Sequence, residues 1–507
     1  MRSSELFRGT GITLSCDAEI KGIACDSRRV REGYVFICHR GGRYDGHEFA
    51  HEAVKNGAVL IIGEHPIDGV KGVIITDNTR GLESHLWYNF TSRPIDGMTK
   101  IAVTGTAGKT SVAFALRHIL EACGRRVGLF STVGVYARGE ELGVGENGGS
   151  SVSDISGAMT TPDPEYFFRS AEKMRACGCD TLIYEASSQA IAMGRLAGIT
   201  PDIVIYTNLS NEHLDYHGTM EAYFEAKASL MEKAPVAIIN ADDAWISKLY
   251  GRFPNKRIIR VSANADGSSD FDVRAVKYRS HGSDGIEYVY QSKDVVVGIK
   301  SPLPGKYSVY NTVEAVACAV HLGCDPMSVK DALSDFRGAP GRLERVDFPK
   351  LKRESVAGLV PDVIIDYAHT PEAMKAVLGA VREVTRGRLI ALFGCGGDRD
   401  RTKRPMMARE VLSAADHTVI TSDNSRSEDP NRIIYDIMAG VDADKSFTVI
   451  PSRRDAIRYA VNISAAGDAL ILLGKGHEKY EIDATGKHPF DEAELVRMAM
   501  YEKLRRK

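Results

Sequence analysis

The chain has 507 residues, 43% hydrophobic and 26% charged, and its 65 basic and 67 acidic side chains leave a net charge of −2. That balance offers no global field for nucleic acid or an anionic membrane surface, and the composition suits a soluble globular protein of about three domains. No apolar run reaches bilayer-spanning length, the first residues lack a leader's apolar core, and nine irregularly spaced cysteines suit free thiols in a reducing cytoplasm.

Residues 1–97 read as a small α/β domain, with strands at Tyr34–Cys38, Val59–Ile62 and Val73–Ile75 and one helical stretch at Phe49–Asn56. Ahead of the first of these strands stand Asp26, Ser27 and Arg28, in a polar loop of the kind that holds a diphosphate or simply faces solvent. Residues 98–340 open on an apolar strand, Ile101–Val103, followed by Gly105, Thr106, Ala107, Gly108, Lys109, Thr110 and Ser111 and then a helical pattern. Strand, glycine turn and helix form a phosphate cradle, with the lysine aimed at terminal phosphates and the hydroxyl of Thr110 at Mg²⁺. The general pattern asks for a glycine where Val103 stands, so the loop is the shorter Gly-x-x-Gly-Lys-Thr form. Strands at Val127–Phe130, Thr181–Tyr184, Ile203–Thr207 and Val236–Ile239 alternate with helices, which predicts a mainly parallel sheet. The glycine- and serine-rich residues 143–157 read as a mobile loop, and Phe271–Ile299 as an antiparallel β insertion. A helix at Val309–Leu322 and a hinge at Gly338–Arg342 follow.

Residues 341–507 alternate strands (Val363–Asp366, Leu389–Phe393, His417–Thr421, Ala469–Leu473) with helices, and each strand ends in a polar, glycine-containing turn. The expected fold is therefore α/β in three domains: a small first domain, a central P-loop domain with helices on both sheet faces, and a Rossmann-like third.

Chemistry concentrates at strand ends, where open α/β sheets bind ligands. Glu185 closes the strand at Thr181 and suits Mg²⁺ or its waters. His213 lies in a run dense in histidine and carboxylate after the Ile203–Thr207 strand. Lys227 has small and apolar helix neighbours; it either snorkels to the surface or, if desolvated to a neutral amine, can take up CO₂ as a carbamate. Turns at residues 394–405, 423–430 and 474–478 carry both charge signs, which suits a zwitterionic amino acid.

These stretches, with Thr160-Thr161-Pro162, Ser187-Ser188, Gly341-Arg342 and Asp366 to Pro371, resemble the Mur ligase family over nearly the whole chain. The likeness is greatest to the branch that adds the third amino acid to UDP-N-acetylmuramoyl-L-Ala-D-Glu in peptidoglycan synthesis. The resemblance implies an ATP-dependent, acyl-phosphate-forming ligase with nucleotide-sugar, ATPase and amino-acid domains in that order. It implies that Lys109, Lys227 (as carbamate), His213 and Glu185 are catalytic, and that Thr110, Glu185, His213 and the Lys227 carbamate hold two Mg²⁺ ions. ATP would be met by residues Gly105 to Ser111, Asn311, Arg342 and Asp366. The UDP-sugar peptide would be met by Ser27, Arg28, Thr160, Thr161, Ser187 and Arg195. Arg399, Asn424, Arg426, Gly474 and Glu478 would hold the incoming amino acid, and Arg426 favours the second carboxylate of meso-diaminopimelate over lysine. Partners are small molecules only, and the expected state is a cytoplasmic monomer. The sequence departs from the family at Ala107 (usually Asn), Gln189 (His), Met193 (Gln in some members) and Ser425 (Pro). Rival readings are a divergent paralogue joining another amino acid or acceptor, and a nucleotide-binding regulator without catalysis.

Overall fold

The computed structural model describes residues 1–41, 44–142, 159–264, 271–349, 360–442 and 444–506, so the loop expected at 143–157 lies outside the described residues. The chain separates into two compact units, one of residues 1–109 and 120–260 and one of residues 110–119 and 261–507. Both are α/β, as the alternating pattern predicts.

The first unit holds two sheets. Strands β1 (Gly22–Ala24), β2 (Tyr34–Ile37), β3 (Ala58–Gly63) and β4 (Ile74–Ile75) pair in parallel in chain order. The second sheet uses β5 (Thr99–Thr104), β6 (Val127–Phe130), β7 (Val135–Ala137), β8 (Glu140–Glu141), β9 (Thr181–Glu185), β10 (Ile203–Tyr206) and β11 (Val236–Asn240). Its order is β11-β10-β5-β9-β6-β7-β8, parallel from β11 to β6 and antiparallel beyond. Every residue of β6, β9 and β10 is buried, the mark of parallel strands covered on both faces. The sequence predicts one helix in the first 97 residues, but a short helix at Ser3–Leu6 and a longer one at Thr79–Phe90 join Ala50–Lys55, the longer one capped by the Asn78 side chain accepting from Gly81 N–H. Its apolar face is narrow (Leu82, Leu86 and Trp87 amid Gly81, His85 and Asn89), which hid the period.

Strand β12 (Arg257–Ser262) crosses the division at residue 260; its last two residues, in the second unit, pair in parallel with β13 (Val273–Ser280), and β13, β14 (Ile286–Ser292) and β15 (Val296–Ser301) form the antiparallel insertion the sequence predicts. Strand β15 alternates exposed and buried residues with period two, as an edge strand with one wet face does. A further sheet comprises β16 (Glu344–Arg345), β17 (Asp362–Asp366), β18 (Leu389–Phe393), β19 (His417–Ile420), β20 (Phe447–Val449) and β21 (Ala469–Leu473), in the order β16-β17-β21-β18-β19-β20. All its pairs are parallel except β16 with β17. A hairpin of β22 (Tyr480–Asp483) and β23 (Gly486–Pro489) follows. Its strands carry Glu481, Asp483, Lys487 and His488, a polar pattern that gave no strand signal. Among the described residues no helix is long and apolar enough to cross a membrane.

Candidate active site

The loop after β5 is built on backbone that only glycine tolerates. Gly105 has φ +149° and lies so close to β10's end that a Cβ there would stand 1.9 Å from Thr207 Oγ1. Thr207 Oγ1 donates to Ala107 O (2.6 Å), while Asn208 accepts from Ala107 N–H (2.9 Å) and donates to Ala107 O (3.1 Å). Lys109 Nζ curls back on Gly105 O (2.9 Å) and Thr106 O (2.8 Å). Thr110 and Ser111 sit in the first turn of helix Lys109–Ala122, Thr110 buried.

Lys227 reaches the same carbonyl. Its helix, Met220–Lys233, is capped by Thr219, and its Nζ donates to Gly105 O (2.9 Å) and Thr104 Oγ1 (3.3 Å) from a side chain only 2% exposed. Burial holds its pKa well below the ordinary lysine value, and the neighbouring Lys109 lowers it further. A buried lysine held toward its neutral form is a nucleophile rather than a snorkelling cation.

Glu185 is fully buried at the end of β9, paired so that Val103 of β5 lies opposite it. Thr132 donates to both its oxygens, from N–H and from Oγ1, each at 3.0 Å. Around it the structure collects Thr160, Thr161 and Ser187. Thr132 Oγ1 bonds Thr160 Oγ1 (3.0 Å), Thr161 Oγ1 donates to Glu185 O (2.8 Å), and Ser187 N–H donates to Thr161 Oγ1 (3.0 Å). Arg195 donates to Thr161 O (3.2 Å) and faces Asp163 at 3.5 Å. His213 is exposed, in a left-handed conformation (φ +57°), with its ring 5.9 Å from that of Tyr223. A histidine in that conformation stores strain, a common feature of functional turns. Ser27 donates to Glu52 (2.6 Å) and exposed Arg28 pairs with Asp26 (2.6 Å), so the first domain's two candidates turn to local carboxylates.

In the second unit, Asn424, Arg426, Gly474 and Glu478 come together. Asn424 Nδ2 donates to Glu478 (2.8 Å), and its Oδ1 accepts from Lys475 Nζ (2.8 Å) and Ile482 N–H (3.0 Å). Arg426 (φ +51°) donates to Gly397 O at 2.8 Å, and a Cβ on Gly397 would lie 1.9 Å from Ser425 O. Burial and nearby Asp423 push the Glu478 carboxyl up. Burial also acts to raise Asp423, but Lys475 and Arg453 outweigh it and hold that carboxyl below its usual range. Arg399 is exposed. Arg342 lies 4.7 Å over the Tyr367 ring, next to Leu343, whose N–H donates to buried Asp366 (2.7 Å). Burial raises the Asp366 carboxyl, with Arg342 opposing. Asn311 is half-buried on helix Lys306–His321.

Three family descriptions match the chain: "Mur ligase family, catalytic domain" at 19–81, "Mur ligase middle domain" at 103–319 and "Mur ligase, glutamate ligase domain" at 341–476. A UDP-N-acetylmuramoyl-L-alanyl-D-glutamate–2,6-diaminopimelate ligase of Syntrophomonas wolfei is 37% identical, covering 98% of this chain and 99% of its own. The chain belongs to the Mur ligase family. The like-named enzyme of Clostridium botulinum is 35% identical over 94% of both chains. A solved structure of such a ligase superimposes with a TM-score of 0.69 at 29% identity, covering 99% of each chain.

As a Mur ligase this chain accommodates two of its departures. Ala107 has an exposed side chain and holds the loop through its backbone, so loss of asparagine leaves the turn's shape to Thr207 and Asn208. Ser425 lacks proline's fixed φ, but Arg426 is anchored through Gly397 O and through its own N–H to Ile482 O (3.1 Å). Nothing in the structure explains Gln189 or Met193. Thr132, Asn208, Tyr223 and Lys475 belong to these clusters yet were not singled out as site residues from sequence. Thr132 reaches Glu185 only because β6 pairs with β9, which no local pattern reveals.

Proposed function

We propose that this Mur ligase joins meso-diaminopimelate to the γ-carboxyl of D-glutamate in UDP-N-acetylmuramoyl-L-Ala-D-Glu, at the expense of ATP. The observation that carries this reading is full-length similarity to enzymes named for that reaction, above a third identical. The Arg426 cradle supports it, because a guanidinium there pairs bidentately with the second carboxylate that lysine lacks.

A three-domain division at 97 and 340 belongs to the same proposal, supported by family matches that fall at 19–81, 103–319 and 341–476. In the mechanism, the substrate carboxylate attacks the γ-phosphorus of ATP, and ADP leaves as the acyl phosphate forms. The amine then attacks the activated carbonyl and inorganic phosphate departs with loss of a proton. Lys109 offsets charge on the transferred phosphoryl group. Asn311, Arg342 and Asp366 contact ATP; Ser27, Arg28, Thr160, Thr161, Ser187 and Arg195 hold the nucleotide-sugar peptide. Arg399, Asn424, Arg426, Gly474 and Glu478 receive the amino acid.

The donor set fits Mg²⁺. Glu185 offers a buried carboxylate at the end of β9, and Lys227, held toward its neutral form, suits conversion to a carbamate with carboxylate chemistry. Glu185, Thr110, His213 and the Lys227 carbamate are the residues that would hold two ions, which supply charge neutralisation at the phosphates. A cytoplasmic monomer is part of the same proposal.

Phosphate release by the purified protein, with ATP, the UDP-dipeptide and a panel of amines, tests the reading. Release that requires meso-diaminopimelate supports it. Release with no amine of the panel overturns the ligase, and release with lysine alone overturns the pocket.

A further inference from the structure

We propose that Cys25, His39 and Glu83 form a binding site for a zinc-class divalent cation, outside the residues assigned to ligation. The three come from separate elements of the first unit: Cys25 follows β1, His39 follows β2, and Glu83 lies on helix Thr79–Phe90. Cys25 Sγ is 3.3 Å from His39 Nε2 and 3.4 Å from Glu83 Oε1, and His39 Nε2 is 2.9 Å from Glu83 Oε2. Ligands about 2.0–2.3 Å from a tetrahedral zinc stand roughly 3.3–3.8 Å apart, so the triangle needs little adjustment.

The connectivity distinguishes this cluster from a nucleophile relay. In a relay the carboxylate holds the imidazole nitrogen remote from the thiol. Here thiol and carboxylate converge on the same nitrogen, Nε2, and Nδ1 is instead 3.0 Å from the hydroxyl of buried Thr79. That is the arrangement of a ligating histidine whose other nitrogen is oriented by a second hydrogen-bond partner. The His39 and Glu83 side chains are each 13% exposed and Cys25 is exposed, so a fourth ligand would come from solvent. Thiolate with imidazole and carboxylate selects zinc over Mg²⁺ or Ca²⁺. On uptake the thiol proton is released to solvent, and His39 binds as the Nδ1–H tautomer donating to Thr79.

The neighbouring group of Asp45, His47 and His65 looks similar by composition but is a strut. His47 Nδ1 is committed to Asp45 Oδ1 (2.5 Å), and its Nε2 accepts the backbone N–H of Glu64 (2.9 Å), so neither nitrogen of His47 is left for a metal.

The test is titration of metal-stripped full-length protein with Co²⁺ and Zn²⁺ in a thiol-free reductant. The expected result is a thiolate-to-cobalt charge-transfer band saturating at one equivalent and displaced by Zn²⁺. The band is lost in Cys25→Ser and His39→Leu and unchanged in His65→Ala. Thr79→Val should weaken affinity about 10–100-fold. Absence of the band in wild type, or its survival in Cys25→Ser, overturns the site. Should Cys25→Ser fail to fold, wild type and His39→Leu decide: stoichiometric binding that survives loss of His39 also overturns it.

Discussion

Lys227→Met separates a catalytic role from a structural one. Methionine nearly preserves the side chain's volume and removes the amine. The substitution deletes two hydrogen bonds, to Gly105 O and Thr104 Oγ1. Neither partner is stranded, because Gly105 O still accepts from Lys109 Nζ at 2.9 Å and Thr104 Oγ1 still donates to Ala186 O at 2.7 Å. Two bonds at about 1 kcal/mol each cap the loss near 2 kcal/mol, and relief of the cost of burying an amine offsets part of it. Melting temperature should therefore fall by less than about 8 °C. Turnover should fall about 100-fold or more, because methionine cannot form the proposed carbamate, the carboxylate equivalent beside the glycine loop. Thermal scans and phosphate release measure both. In Lys227→Ala, where a space opens, added bicarbonate should restore part of the rate. Lys227→Met turnover within about threefold of wild type would exclude a catalytic role for Lys227, since removing a group that acts in the transition state lowers kcat.

Other outcomes follow from the same geometry. Gly105→Ala should abolish ATP binding by calorimetry and cost on the order of 1–3 kcal/mol, since its Cβ would stand 1.9 Å from Thr207 Oγ1 at φ +149°. Glu492→Ala removes the 2.7 Å partner of Arg453 Nε; because fully buried Arg453 keeps Asp423 at 3.7 Å and the carbonyls of Ser422 and Leu473, the cost in urea unfolding should be about 1–3 kcal/mol. The hydrogen bond from Arg404 holds the Glu428 carboxyl at about 2, below its ordinary 4.5. Its stabilisation is therefore complete above pH 4.5 and lost as pH falls through 2, and Glu428→Gln should flatten acid unfolding across that window. Arg426→Lys should raise KM for meso-diaminopimelate about tenfold while leaving KM for ATP unchanged.

The phosphate loop was readable because glycine, lysine and threonine carry their chemistry at fixed spacing between an apolar strand and a helix. The long strands were readable because buried parallel strands are continuous apolar runs. What escaped was set by pairing across the chain. Thr132 is an ordinary residue until β6 lies beside β9, and Asn208 gains meaning only where β10 ends against Ala107. Glu83 sits on a helix whose narrow apolar face masked its period, 44 residues from His39 in sequence. The tuned pKa of Lys227 depends on burial against Lys109, which helix composition could only suggest.

One competition decides which amino acid the enzyme ligates. ATP, UDP-N-acetylmuramoyl-L-Ala-D-Glu and equimolar meso-diaminopimelate and L-lysine are incubated with the enzyme, and the products are weighed by mass spectrometry. The predicted result is the diaminopimelate-containing UDP-tripeptide as the dominant product, formed one for one with phosphate. A dominant lysine product, or phosphate release without any ligated product, would contradict it.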